Sequence, residues 1–203
     1  SSLRDVLDCS LRASKIVNNM LAFSRHSHGI FHEEDLEYLI DNAVELAGSD
    51  YDMKMKCDFR SIEIKREYAG DLPRVPCAAQ EIQQVFLNLF KNAAQAMEPR
   101  VCEERAPRIT IRTRALAEAI QIEIEDNGCG IADDVCEYVF EPFFTTKKMG
   151  EGSGLGLYVA RFIVSERHQG AIEAESEPGL FTRFTMRLPL APPLGSSSNQ
   201  AAG

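Results

Sequence analysis

The sequence predicts an α/β domain carried behind a long amphipathic helix, and three observations predict it. Short runs that alternate apolar and polar residues, as half-buried strands do, fill the second half of the chain. Longer runs of helical period stand among them, and the stretch Leu3 to Arg25 repeats apolar residues at three- and four-residue steps. At 203 residues, with 44% hydrophobic and 26% charged side chains, the chain can fill one core and an appendage, but not a second full domain.

The elements follow in order. Val6, Cys9, Ala13, Ile16, Met20 and Phe23 form a bundle seam, and Leu3, Leu7, Val17 and Leu21 widen it beyond a two-stranded stripe. One helix cannot bury such a face, so it calls for a partner helix outside this sequence, a second copy of the chain, or both. A homodimer through residues 3–25 is therefore expected. His26 to His32, with Gly29, reads as a linker separating a first unit at 1–30 from a second at 31–190. A helix is expected at Leu36 to Ala47 and a strand near Ile62, Ile64, Glu67 and Tyr68. Pro73 and Pro76 punctuate before a long helix from Ala79 to Met97. Arg108 to Thr113 and Ala119 to Glu125 alternate like paired strands. A helix at Leu155 to Ser165 precedes closing strands at Ala171 to Ser176 and Thr182 to Leu188. The tail, residues 191–203, is poor in core-forming side chains and is expected to be disordered.

Composition narrows the function. The net charge of -9 argues against nonspecific nucleic-acid binding, which needs clustered Lys and Arg, so a phosphate ligand must be held locally. No apolar run approaches the ~20 residues of a membrane span, and no charged-then-apolar leader opens the sequence. The six cysteines show no CxxC pair and no zinc-like spacing with the four histidines, which points to reduced thiols and a cytoplasmic setting. Beginning at Ser1 without an initiator Met, the sequence is expected to be a piece of a longer protein. Any membrane attachment would come through segments outside it.

Four stretches carry the chemistry. On the long helix, Asn88 and Asn92 stand four apart while Val85, Phe86, Leu89 and Phe90 face inward, so two amides can meet one ligand. Amide oxygens suit Mg2+, which keeps several waters and is usually completed by substrate phosphates. Asp126 follows a strand, and Gly128 and Gly130 strip side chains from the turn beyond it. Such a carboxylate could accept an adenine amino proton and would repel the guanine carbonyl. Gly150, Gly152, Gly154 and Gly156 alternate just before a helix, where successive backbone N–H groups make an anion site. The spacing fits neither a Walker loop nor a dinucleotide fingerprint. Between them FEPFFTTKKMG reads as a lid, with Phe140, Phe143 and Phe144 anchoring its base and Lys147 turned toward phosphates. Each stretch alone has a plainer reading: an Asn bonded to nearby backbone, an ordinary Asp-Asn-Gly turn, a flexible linker, a solvated lysine. Their combination in one order points to a nucleotide.

Taken together, these residues are similar to the N, G1, F and G2 boxes of the histidine kinase catalytic domain, in that family's order and roughly its spacing. The resemblance covers Phe31 to Leu190, and Leu3 to Arg25, ending RASKIVNNMLAFSR, looks like the second helix of the dimerisation and phosphoacceptor domain. It implies a Bergerat fold, a two-layer α/β sandwich with a mixed sheet covered on one face by helices, shared with Hsp90, gyrase and MutL ATPases. It also implies ATP and Mg2+ as ligands and a response regulator receiver domain as partner. Asn92 would bind the metal, Asn88 would lie near the phosphates, and Asp126 would bind adenine. Gly128, Gly130, Phe144, Lys147, Gly152, Gly154, Leu155 and Gly156 would line the nucleotide, with Thr182 close to the base. In the hydrolysing relatives a Glu stands four before the metal-binding Asn; here Asn88 lacks that basicity, so transfer to a protein acceptor is favoured over hydrolysis.

Three departures stand out. Gln95 replaces a common Lys, leaving a phosphate contact to Lys91 or the lid. Phe181 replaces a Gly in the closing segment and is expected to tighten the base end of the pocket. No His followed by an acidic residue appears on a helix; His26 and His28 follow the first helix, and His168 is expected at the surface. The acceptor His would therefore lie upstream of Ser1. Two other readings remain: a nucleotide-sensing dimerisation module without phosphotransfer, and a serine kinase of the anti-sigma type, which shares the site but lacks the leading helix.

Overall fold

A computed structural model of the chain describes residues 30–49, 59–98, 106–146 and 153–192. The leading helix, His26, His28 and the tail from residue 193 lie outside the described residues. Alternation and helical period are realised as expected, with ends shifted by a residue or two. In chain order they are β1 (His32–Glu34), α1 (Leu36–Ser49), a 3-10 turn (Phe59–Ser61), β2 (Glu63–Glu67), β3 (Val75–Cys77), α2 (Ala79–Ala96), β4 (Arg108–Ala115) and β5 (Ala119–Asp126). There follow α3 (Asp133–Cys136), α4 (Gly156–Phe162) running into a π turn (Ile163–Arg167), β6 (Ala171–Glu177) and β7 (Phe181–Pro189).

Five strands form one mixed sheet in the order β2-β4-β5-β7-β6, parallel between β2 and β4 and antiparallel elsewhere. The sheet carries helices on one face, the two-layer arrangement expected. Even-numbered residues of β5 and β7 (Ile120, Ile122, Ile124; Phe184, Met186, Leu188) meet the buried stripe of α2 (Ile82, Val85, Phe86, Leu89, Phe90). Against α2 lies α1, through Leu36, Leu39, Ile40, Ala43 and Ala47. Asp35 caps α1 by accepting the Tyr38 N–H at 3.1 Å.

The opposite face is charged, and its charges sort by strand. Arg112 on β4 bridges Glu67 of β2 (2.8 Å) and Glu125 of β5 (3.1 Å). From β7, Arg183 reaches Glu125 at 2.6 Å and Glu175 of β6 at 2.9 Å, and Arg187 pairs with Glu173 at 3.1 Å. Beneath these long side chains Thr110 and Gln121 are buried.

Two elements differ from the sequence expectation. β1 and β3 form a separate antiparallel pair in which Pro76 sits opposite Glu33. Pro reads as a breaker, but a two-stranded ribbon has only edges, where a missing N–H is tolerated. The helix after the glycines ends in a π turn closed by the His168 N–H to the Ile163 carbonyl at 3.1 Å, a change of pitch that no periodicity rule foresees.

Candidate functional site

Asp126 ends β5 on the helix-covered face of the sheet. Its register partner on β7 is Thr182, whose partner on β6 is Ser176, so the three side chains form one row across three strands. Asp126 and Thr182 are each only 3% exposed. Asp126 Oδ1 accepts the Gly128 N–H at 2.9 Å. Burial pushes the Asp126 carboxyl up to about 7; the Gly128 bond opposes this and the neighbouring Glu125 charge adds to it. A carboxylate so poised gains from a ligand that donates to it.

The turn after β5 passes close to other backbone, which accounts for two of its glycines. A Cβ on Gly128 would stand 2.7 Å from the Ala96 carbonyl at the end of α2, and one on Gly130 (φ +67) would strike the Glu177 carbonyl. Asn127 faces away from the row: it accepts the Arg108 N–H at 2.8 Å and donates to the Ala106 carbonyl at 2.9 Å, clamping the start of β4.

Asn88 and Asn92 lie half-buried on α2. Asn88 Oδ1 accepts from Gln84 at 3.2 Å. Across from it runs the start of α4, where a Cβ on Gly156 would sit 3.7 Å from Asn88 Oδ1, an ordinary contact. The structure thus brings Asn88 and the last glycine of the cradle together, with room for a Cβ between them in ordinary contact. Among the described residues no three His, Cys, Asp or Glu side chains gather as a metal cluster. A hard cation here would rest on the Asn92 amide oxygen, phosphate oxygens and water, and the donor chemistry fits Mg2+ in that manner.

Phe140 is buried, edge-on to Phe184 at 6.1 Å and under the Arg161 guanidinium at 5.8 Å. Phe144 is half-buried, 6.1 Å from the Tyr138 ring. Phe143 does not anchor in the core: it is 55% exposed, in a left-handed conformation (φ 66) that turns its ring outward. Its backbone is nevertheless fixed, because its N–H donates to the Gly154 carbonyl at 3.0 Å. Gly154 itself has φ +64, and a Cβ there would meet the Phe143 carbonyl carbon at 2.5 Å. The segment expected to form the base of a lid and the end of the glycine stretch are thus stitched together, and Leu155 beside Gly154 is buried. Lys147, Gly150 and Gly152 lie outside the described residues.

Two further sequence expectations are corrected. His168 is not at the surface; it is 2% exposed. Its Nε2 accepts the Ala78 N–H at 3.1 Å, so Nδ1 carries the proton and donates to the Ile163 carbonyl at 2.9 Å. Desolvation lowers its pKa. His168 thereby joins the beginning of α2 to the end of α4, with the Phe31 ring 4.9 Å away. Its phase was legible, since Ala160, Val164 and His168 stand at successive four-residue steps and all are buried. Phe181 likewise does not tighten the base end. It occupies the odd, outer phase of β7, with the Arg183 guanidinium 5.1 Å from its ring.

Sequence reasoning passed over Ser176. Its signal is a polar residue in the inward phase of β6, in step with Ile172 and Ala174. The described cysteines Cys77, Cys129 and Cys136 are in no disulfide, and burial pushes the Cys77 thiol up to about 12.

Comparison with known proteins extends these observations. Residues 77–192 match the family described as histidine kinase-, DNA gyrase B-, and HSP90-like ATPase. Sensor histidine kinase ZraS of Escherichia coli O157:H7 is 32% identical over 88% of this chain and 36% of its own length. Signal transduction histidine-protein kinase AtoS of Escherichia coli (strain K12) is 34% identical over 88% of this chain and 27% of its own. The chain thus spans between about a quarter and about a third of the length of these curated relatives. Among solved structures, the nucleotide-free catalytic domain of histidine kinase ThkA superposes with a TM-score of 0.64 at 26% identity, over 80% of this chain and 98% of that one. Full-length ShkA in complex with AMPPNP gives 0.68 at 26% identity, over 94% and 38%.

Proposed function

The chain belongs to the histidine kinase-, DNA gyrase B-, and HSP90-like ATPase family, and on that premise we propose that it is the ATP-binding catalytic portion of a two-component sensor histidine kinase. It would transfer the ATP γ-phosphoryl group to a His on a dimerisation helix outside this sequence, for onward passage to a response regulator receiver domain in the cytoplasm. The observation that carries the reading is Asn88, an amide beside the start of α4 at the position where hydrolysing relatives carry their base. An amide does not deprotonate water at neutral pH, so water is poorly activated and a positioned protein nucleophile is left as the acceptor.

The roles divide along the pocket. Asp126 would accept from the adenine amino group, with Thr182 beside it, while Gly128 and Gly130 bring bare backbone to the base. The complex of the neighbour ShkA with AMPPNP, an adenine nucleotide, supports this assignment. Asn92 would hold Mg2+, which supplies charge neutralisation on the phosphates when bound. Gly152, Gly154, Leu155 and Gly156 would face the phosphates through backbone N–H groups, and Phe144 and Lys147 would close over them. Dimerisation through residues 3–25 would set donor beside acceptor.

Mg-ATP titration and a phosphotransfer assay on the chain joined to an intact preceding acceptor helix test the reading together. ATP-dependent phosphohistidine is expected, reduced by roughly 100-fold or more in Asn92→Ala. Full transfer by that variant would remove the metal role; ATP binding without transfer by the parent would leave a nucleotide-sensing module.

A further inference from the structure

The row Ser176, Thr182, Asp126 admits a full count of protons. A serine hydroxyl has one proton to give and two lone pairs to receive. The Ile131 N–H, which can only donate, points at Ser176 Oγ from 2.8 Å. The Phe181 carbonyl, which can only accept, lies 2.7 Å from the same oxygen and takes its proton. Thr182 Oγ1 is 3.0 Å from Ser176 Oγ. With the serine proton already committed, Thr182 must be the donor in that contact. Thr182 then has no proton left, and its oxygen can offer only lone pairs.

Directly across β7 and β5, Asp126 stands on the same face. Its Oδ1 is engaged by Gly128, and among the described residues Oδ2 has no hydrogen-bond partner. An ionised Asp126 is likewise an acceptor only. We propose that Ser176 is a specificity-determining positioning residue: by fixing the Thr182 proton upon itself, it makes Thr182 and Asp126 a pair of acceptors matched to a 6-amino purine and opposed to a 6-oxo purine. An adenine amino group has two N–H bonds to give. A 6-oxo group brings lone pairs against both, and Ser176 denies Thr182 the one adjustment that would help, a turn of its proton toward the carbonyl. The inference rests on the ATP reading above and adds the residue that hardens its choice of base.

ITP is the probe, because it exchanges the 6-amino group for a carbonyl, and the bare N1 for an N1–H, without adding a 2-amino group; its one donor on that edge can meet only one of the two acceptors. Titration calorimetry on the whole chain with Mg2+ measures the ratio of ITP to ATP dissociation constants. Ser176→Ala is expected to narrow that ratio by roughly ten-fold, chiefly through tighter ITP binding, as one hydrogen bond of freed geometry allows. Ser176→Thr, which keeps the hydroxyl, should hold the ratio. An unchanged ratio in folded Ser176→Ala, or equal weakening of both nucleotides, would overturn the proposal. Should Ser176→Ala not fold, Thr182→Val decides: ITP affinity should be held or improved while ATP weakens. Weaker ITP binding would show that the hydroxyl donates, and the idea would fall. Absence of ATP binding by the parent chain is a separate outcome, seen before any substitution, and overturns the ATP reading itself.

Discussion

At the base end of the candidate pocket, Asp126, Thr182 and Ser176 stand on three neighbouring strands with their hydrogen bonds fixed by the sheet. At the phosphate end, Asn88 projects from α2 toward backbone at the start of α4, with Asn92 one turn further along α2, and the Phe143 N–H donates to the Gly154 carbonyl, tying the segment before the glycines to them. On the proposed reading, the first region would recognise by side chains whose geometry the fold dictates; the second would hold its ligand largely with backbone groups, given the room. The difference teaches where substitution should hurt. Changes at the base end should alter binding while sparing the fold, whereas changes at the phosphate end should depend on how close the next backbone lies.

The largest effect is expected at the base end. Asp126→Asn should lower ATP affinity by roughly 10- to 100-fold, the worth of a charged hydrogen bond, while leaving the melting temperature of the nucleotide-free chain equal or higher. The sign follows from the carboxyl raised to about 7. A folded pKa above the unfolded one means the folded state favours the protonated form, so stability is fully present at low pH and is lost as pH rises through about 7. The proposed ligand would have the opposite preference, since the carboxylate accepts an amino N–H more strongly than the protonated carboxyl does. ATP affinity should thus fall as pH drops below about 7 in the parent and lose this component in Asp126→Asn, as calorimetry across that range would read. An Asp126→Asn chain that melts well below the parent would show the carboxylate to be structural and dissolve the comparison.

Two glycines at the phosphate end sharpen it. Gly154→Ala puts a Cβ 2.5 Å from the Phe143 carbonyl carbon at a positive φ, so thermal unfolding should show a loss of about 1–3 kcal/mol. Gly156→Ala meets only an ordinary 3.7 Å contact, and its stability should stay within about 0.5 kcal/mol of the parent. Any drop in ATP affinity there reports space needed by the ligand rather than by the chain.

The smallest effect belongs to His168, which joins the beginning of α2 to the end of α4. Its pKa is lowered in the fold, so its contribution is present above the ordinary value of 6.5 and is lost as pH falls below it. Urea unfolding should show this loss in the parent. His168→Gln, which can still accept the Ala78 N–H, should flatten it.

Much of this was legible in the chain. The alternation of β4 through β7 and the stripe of α2 located the layers, because burial on one face leaves a period. Asp126, Gly128 and Gly130 could be singled out only through their order with the other three stretches, because an Asp-Asn-Gly turn alone has a plainer reading. What escaped is what period and residue type cannot encode. The π turn is a change of pitch decided by packing. His168 was misjudged because its polarity was weighed above its phase, and a buried imidazole with both nitrogens satisfied costs little. Ser176 was passed over because its meaning lies in the direction of a proton, set by Ile131 and Phe181 from distant parts of the sequence.

The charged outer face has a consequence for how the sheet assembles. The hairpin of β6 and β7 could add to β5 through either strand, and both edges offer the backbone groups to do so. Joined through β6, the glutamates 173 and 175 would stand against Glu123 and Glu125, like charge opposite like along the whole seam. Joined through β7, Arg183 comes between Glu125 and Glu175 and is answered on both sides, while Arg187 meets Glu173 on one side and the Gln121 amide oxygen on the other. Each half-exposed pair adds little to stability, yet together they act as a polarity key that admits the hairpin in one orientation, and only that orientation sets Thr182 beside Asp126.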